Sequence, residues 1–301
     1  MKYATQLKLG ALALTMSLTA GMAHADTVKV ALIDPLSGPF AALGENQLRT
    51  WQYFSELANQ QKWAGDHTIE IVGFDNKAGV QDSLSQLKRA IDQGYRYVAQ
   101  GNGSGVAFAL ADAINKHNER NPGKEVLYIN HGAIDPDLTN SKCSFWQFSV
   151  DSNVDMKMQA LVNTLAKNKD VKKVYIIGQN YAFGRSVSAS AKKMLAEKRP
   201  DVQIVGDDLH PIGEVKDFSP YVAKIIASGA DTIITGNWGS DLALLIRSAR
   251  ASGLDANFYT YYAVLKGAPT AMGESGLDRV KYVGVGDVNN EGYKGRDLVE
   301  G

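Results

Sequence analysis

The chain has 301 residues, 45% of them hydrophobic, which is enough for one large or two medium domains with real cores. Lysine plus arginine and aspartate plus glutamate both total 32, so the net charge is zero. That balance argues against nucleic acid or an anionic membrane surface as partner and favours a soluble protein handling small molecules.

The first 25 residues read as a secretory leader. Lys2 and Lys8 supply the positive end, residues 9–20 are apolar but too short to span a bilayer, and Ala23-His24-Ala25 is a small-residue cleavage site. Asp26 is therefore the expected mature N-terminus. No later stretch is apolar and long enough to span a membrane, so a soluble mature protein outside the cytoplasm is expected.

From Thr27 strands and helices alternate. Strands are predicted at 27–33, 68–74, 97–100 and 126–130. The loop 34–39 carries two prolines and a glycine, and the helix after it places Leu48, Trp51, Phe54 and Ala58 on one side. A second helix carries Leu84, Leu87 and Ile91.

The third strand runs into Gly101-Asn102-Gly103-Ser104-Gly105, and the helix it opens has Ala107, Leu110, Ala111 and Ile114 on one face. Three glycines let a ligand approach the backbone, and the free N–H groups and dipole of a helix start favour an anion. The loop is thus a candidate carboxylate site; the plainer reading is a tight strand–helix turn. A dinucleotide fingerprint does not fit, because Val106 stands where its third glycine belongs and the loop follows the third strand rather than the first.

The pattern restarts near Phe145. Extended segments are expected at 145–150, 173–177, 203–209, 232–235, 257–261 and 281–285, with helices between them. Cys143 is the only cysteine, so no internal disulfide forms; it is expected to be a partly buried small side chain. The five histidines show no metal-ligand spacing, and neither metal nor cofactor is expected. Asp34, Asp75 and Asp135, at strand ends, read as loop and cap residues.

Strands alternating with amphipathic helices imply an α/β fold with parallel sheets covered on both faces. The restart implies two doubly wound lobes whose loops at the strand C-termini face one another across a cleft. Trp238, between glycines and small polar residues after a strand, is a candidate ligand contact. Tyr181 and Phe183 are placed on the same side, and Tyr262 is a further aromatic candidate.

With these loops in place, the chain resembles a type I periplasmic solute-binding protein of the branched-chain amino-acid ABC transporter family. The resemblance rests on Ser37-Gly38-Pro39, Phe74-Asp75-Asn76, Gly101 to Ser104 and the run Gly132-Ala133-Ile134-Asp135-Pro136-Asp137-Leu138-Thr139. Phe183-Gly184, Lys216-Asp217-Phe218-Ser219 and the run from Ile246 to Leu254 continue it. It implies a leader at 1–25, a first lobe at 26–144, a second at 145–278 and an incomplete C-terminal return segment at 279–301.

It also implies a non-enzymatic, monomeric receptor that closes on a solute and delivers it to inner-membrane permease subunits with cytoplasmic ATPases. The carboxylate-binding positions match Asn102, Gly103, Ser104 and Gly105, with Gly132, Ala133 and Ile134; the aromatic positions match Phe183 and Trp238. Three departures follow. Gly105 replaces a serine, Ile134 replaces a hydroxyl residue, and Tyr262 stands where an acid pairs with a solute ammonium. Ala78 replaces the first cysteine of the family's short disulfide. Tyr262 favours a monocarboxylate with an apolar or aromatic body, with a hydrophobic amino acid as the alternative. A ligand-sensing module with the same fold is a second functional class. An exported α/β enzyme is a third, but Gly101 to Gly105 lacks the spacing of a nucleophile elbow.

Overall fold

Short apolar strands buried on both faces cannot face water, so each must lie inside a sheet covered by helices. The computed structural model describes residues 26–284 and shows two such sheets. The first contains β1 (Thr27–Asp34), β2 (Thr68–Asp75), β3 (Tyr97–Gln100), β4 (Leu127–Asn130) and β5 (Gln147–Ser149), all parallel, in the order β2-β1-β3-β4-β5. Its helices are α1 (Ala41–Gln60), α2 (Val80–Asp92) and α3 (Ser104–Arg120).

The second sheet contains β6 (Lys173–Gln179), β7 (Gln203–His210), β8 (Thr232–Thr235), β9 (Asn257–Thr260) and β10 (Val280–Tyr282), in the order β10-β9-β8-β6-β7. With it go α4 (Val154–Ala166), α5 (Ala182–Lys198), α6 (Ser219–Ser228), α7 (Ser240–Ala251) and the short α8 (Ala268–Met272).

Local sequence explains the elements. Val30 to Ile33 of β1 are all buried, the continuous apolar run of a central parallel strand. In α3, Val106, Ala107, Leu110, Ala111 and Ile114 recur at helical spacing and are all buried. Asn153 caps α4, its side chain accepting from Met156 N at 3.0 Å. Gly229 ends α6 in the left-handed conformation, φ 67°.

Two lobe boundaries differ from expectation. Residues 147–149, expected to open the second lobe, pair with β4 and form the edge of the first sheet. The chain crosses between lobes only after Val150, whose N–H still bonds Asn130 O at 3.0 Å. Val280–Tyr282, expected in a return segment, pairs instead with β9 and completes the second sheet. Periodicity marks a strand, but partner and register decide its sheet. Cys143 is exposed rather than partly buried, because it lies in a surface turn closed by its N–H to Asn140 O. The leader at 1–25 and the tail from Val285, including the end of the strand expected at 281–285, lie outside the described residues.

Candidate functional site

The two sheets share one strand order, and the order fixes where a ligand can sit. Connections leave β1 and β3 in opposite directions, as they do β6 and β8, and such reversals open a crevice at the strand C-termini. The crevices face each other across a cavity of about 190 Å³, a size for a small solute. Its walls come from the segments after β3, β4, β5, β6, β8 and β9 and from the first turns of α1.

The first wall is the glycine loop. Gly103, at φ 96°, lets the chain turn directly into α3, so the first-turn N–H groups there have no intrahelical acceptor. No acid lies in that turn, leaving its dipole unopposed. Ser104 is buried, and its Oγ accepts the Asp135 N–H at 3.2 Å, which leaves its hydroxyl proton free to donate. Other backbone donors are already used. Buried Asp34 takes the N–H groups of Gly101 (3.2 Å) and Asn102 (2.9 Å) on Oδ1. Asn130 Oδ1 takes those of Gly132 (3.3 Å) and Ala133 (2.8 Å). These bonds hold both loops in shape before any ligand arrives. They direct the Ala133 N–H away from the carboxylate role expected of that segment.

The opposite wall is aromatic. Trp238 is buried, its Nε1 donating to Tyr181 Oη at 2.8 Å. Its ring packs on Phe40 of the first lobe, with centroids 4.2 Å apart. Gly239 makes this contact possible: its φ is 63°, and a Cβ there would lie 2.8 Å from the Phe40 ring. Phe183 links Tyr181 (5.6 Å) to Tyr262 (5.9 Å). Burial pushes the phenols of Tyr181 and Tyr262 upward, so both stay neutral. This wall offers apolar faces and hydroxyl groups without charge.

The lobes also meet directly. Ser186 Oγ of α5 donates to Asp135 Oδ2 at 2.7 Å, and Val154 N donates to Ile134 O at 2.9 Å. Asp135 thus joins Ser104 of one lobe to α5 of the other.

The structure brings ten of the eleven expected ligand residues to one cavity: Asn102, Gly103, Ser104, Gly132, Ala133, Ile134, Tyr181, Phe183, Trp238 and Tyr262. Gly105 does not line it; the place its Cβ would take faces open space. Leu43, Gln47, Gly101, His131, Asp151 and Leu265 complete the wall and were not named as ligand residues. Leu43 and Gln47 are four apart on α1, so one stripe of that helix presents both, apart from the Leu48, Trp51, Phe54 and Ala58 pattern. His131 directly precedes the Gly132 to Thr139 run, but nothing in the sequence pairs it with an acid. Asp151, in the crossover, left no sequence signal. Its Oδ1 accepts from Lys157 Nζ (2.9 Å) and Ser152 N (2.7 Å), while Oδ2 has no partner among the described residues. Asp241, the acid nearest Trp238, is fully buried behind the wall and accepts from Gln179 Nε2 (2.8 Å) and Gly213 N (2.9 Å).

A sequence profile described as periplasmic binding protein matches residues 27–293. Leu/Ile/Val-binding protein homolog 4 of Brucella abortus (strain 2308) is 35% identical over 268 residues, covering 87% of this chain and 62% of the relative. The chain therefore spans about three fifths of the length of the curated relatives it matches first. Among solved structures, the closed leucine-, isoleucine-, valine-, threonine- and alanine-binding protein from Brucella ovis superimposes with a TM-score of 0.70 at 34% identity, over 83% of this chain and 64% of the other. A solute-binding protein from R. palustris in complex with benzoate shares the fold, with a TM-score of 0.71 at 21% identity over 83% and 66% of the two chains.

Proposed function

Because the chain belongs to the periplasmic binding protein family, we propose that it is the extracytoplasmic solute receptor of an ABC importer. In this reading it closes two lobes on a small monocarboxylate with an apolar or aromatic body and hands it to a membrane permease. A location outside the cytoplasm goes with the family; export by cleavage after Ala25 into the periplasm is the finer part of the proposal. The carrying observation is the asymmetry of the cleft. One wall offers the Ser104 hydroxyl at an unopposed helix start, and the other offers neutral aromatic rings. A carboxylate suits the first wall and an apolar body the second. The names of the relatives, which include leucine- and benzoate-binding proteins, cover the same range of solutes.

One observation favours a second reading, a hydrophobic amino acid. Asp151 lines the cleft, and its Oδ2, without a partner among the described residues, is an acceptor for a solute ammonium.

A thermal-shift panel of carboxylates and amino acids tests the proposal, since a ligand of the folded state raises the melting temperature. Benzoate-like or short branched carboxylates should raise it. Ser104→Ala should weaken their binding by about 0.5–3 kcal/mol, the range for a lost hydrogen bond to a charged group. Undiminished affinity in that variant would remove Ser104 from the site; silence across the whole panel would remove the function.

A further inference from the structure

His131 sits in the wall of the cleft without a task in the reading above. It follows β4, and its side chain is only 9% exposed. Its Nε2 lies 2.9 Å from Asp34 Oδ2, and Asp34 is fully buried. Asp34 Oδ1 already accepts two backbone N–H groups, so Oδ2 is the acceptor and the proton rests on His131 Nε2. The imidazole packs on Gly101, where a Cβ would come within 2.5 Å of the ring, and lies 5.6 Å from the Trp51 ring. Its second nitrogen, Nδ1, has no partner among the described residues. Among the described residues no lysine or arginine lines the cavity, so His131 is the one lining side chain with a basic nitrogen to offer an anion.

We propose that His131 is the anion clamp of the cleft and that solute binding is coupled to uptake of a proton at Nδ1. This rests on the reading that the cleft takes a carboxylate. A carboxylate entering beside the buried Asp34 meets a like charge, and a buried anion without a cationic partner is costly. One proton taken from solvent by Nδ1 makes the ring an imidazolium, donating to Asp34 through Nε2 and to the solute through Nδ1. The proton returns to solvent when the solute leaves, so the step balances without another reactant.

The charges around the ring fit this role. From β1 it meets Asp34, from α1 the uncharged Trp51 and from the loop after β3 the uncharged Gly101, while the uncharged Gln47 and Asn102 line the same cavity. The other ionisable groups of the cleft are Asp151, already paired with Lys157, and the two neutral phenols. Asp34 therefore has a second use beyond holding the loop: it fixes the ring so that Nδ1 is the nitrogen left over.

Calorimetry with benzoate and with 4-methylpentanoate, in buffers of different ionisation enthalpy, reads the proton directly. On the alkaline side of neutrality, binding should be accompanied by net proton uptake. Affinity should then fall by up to about tenfold per pH unit as pH rises. His131→Gln should abolish the uptake, flatten the pH profile and weaken binding at least tenfold. Asp34→Asn, which keeps the shape, should reduce the uptake. Binding by the wild-type chain with no proton uptake overturns the proposal and leaves the receptor reading standing, even if neither variant folds. Proton uptake that survives in a folded His131→Gln protein also overturns it. Failure of the wild-type chain to bind any carboxylate overturns both.

Discussion

Asp34→Leu should lower folding stability by about 3–5 kcal/mol, the cost of breaking a buried charged network by removing one member. Asp34 is fully buried at the end of β1 and joins three loops through one carboxylate. It takes the Gly101 and Asn102 N–H groups on one oxygen and His131 on the other. Leucine fills the space but leaves two buried N–H groups and an imidazole unpaired. Solute binding should be lost with the loop geometry. Asp34→Asn, still able to accept, should recover part of the stability. Urea unfolding checks this: a loss under about 1 kcal/mol, the ordinary scale of surface substitutions, would show that the loops hold their shape without Asp34.

Trp238→Ala should be equally severe, at about 3–5 kcal/mol, the usual range for deleting a buried large aromatic. The indole is 5% exposed, packs on Phe40 across the lobes and donates to Tyr181. Removing it opens the aromatic wall, frees the Tyr181 hydroxyl and takes away a contact between lobes. Both thermal stability and solute affinity should fall. Trp238→Phe should restore most of the stability while lacking the bond to Tyr181, so a binding deficit that persists in Trp238→Phe isolates the role of that bond.

Much of this arrangement was legible in the sequence, because strand–helix alternation is written in local periodicity. Each strand read from the pattern has a counterpart among the described residues, the last only in part, and the loops at strand C-termini supply the cleft. Sheet membership was less legible. Gln147–Ser149 reads as the start of a new unit because the sequence marks the strand but not its pairing with β4. Ser104 stood out because it lies in a short glycine-rich motif, and Trp238 and Tyr262 because they are aromatic residues in loops that follow strands. Such local signals could not bring out the Asp34–His131 pair, whose members are 97 residues apart and meet only when β1, β3 and β4 lie side by side. Asp151 was hidden for a similar reason: an acid in a polar crossover looks like any surface residue until the other cavity loops gather beside it.

The most direct test of the central claim uses two solutes that differ by one group. 4-Methylpentanoate is leucine without its amino group, so the pair asks whether the cleft wants a carboxylate on an apolar body or a zwitterion. Titration calorimetry on the purified protein should find the plain carboxylate bound at least tenfold more tightly, a difference of about 1.4 kcal/mol. The neutral Tyr262 wall and the pairing of Asp151 with Lys157 leave an ammonium poorly matched. Tight binding of leucine, with no heat from any acid that lacks an amino group, would contradict this account and give Asp151 the role of ammonium partner.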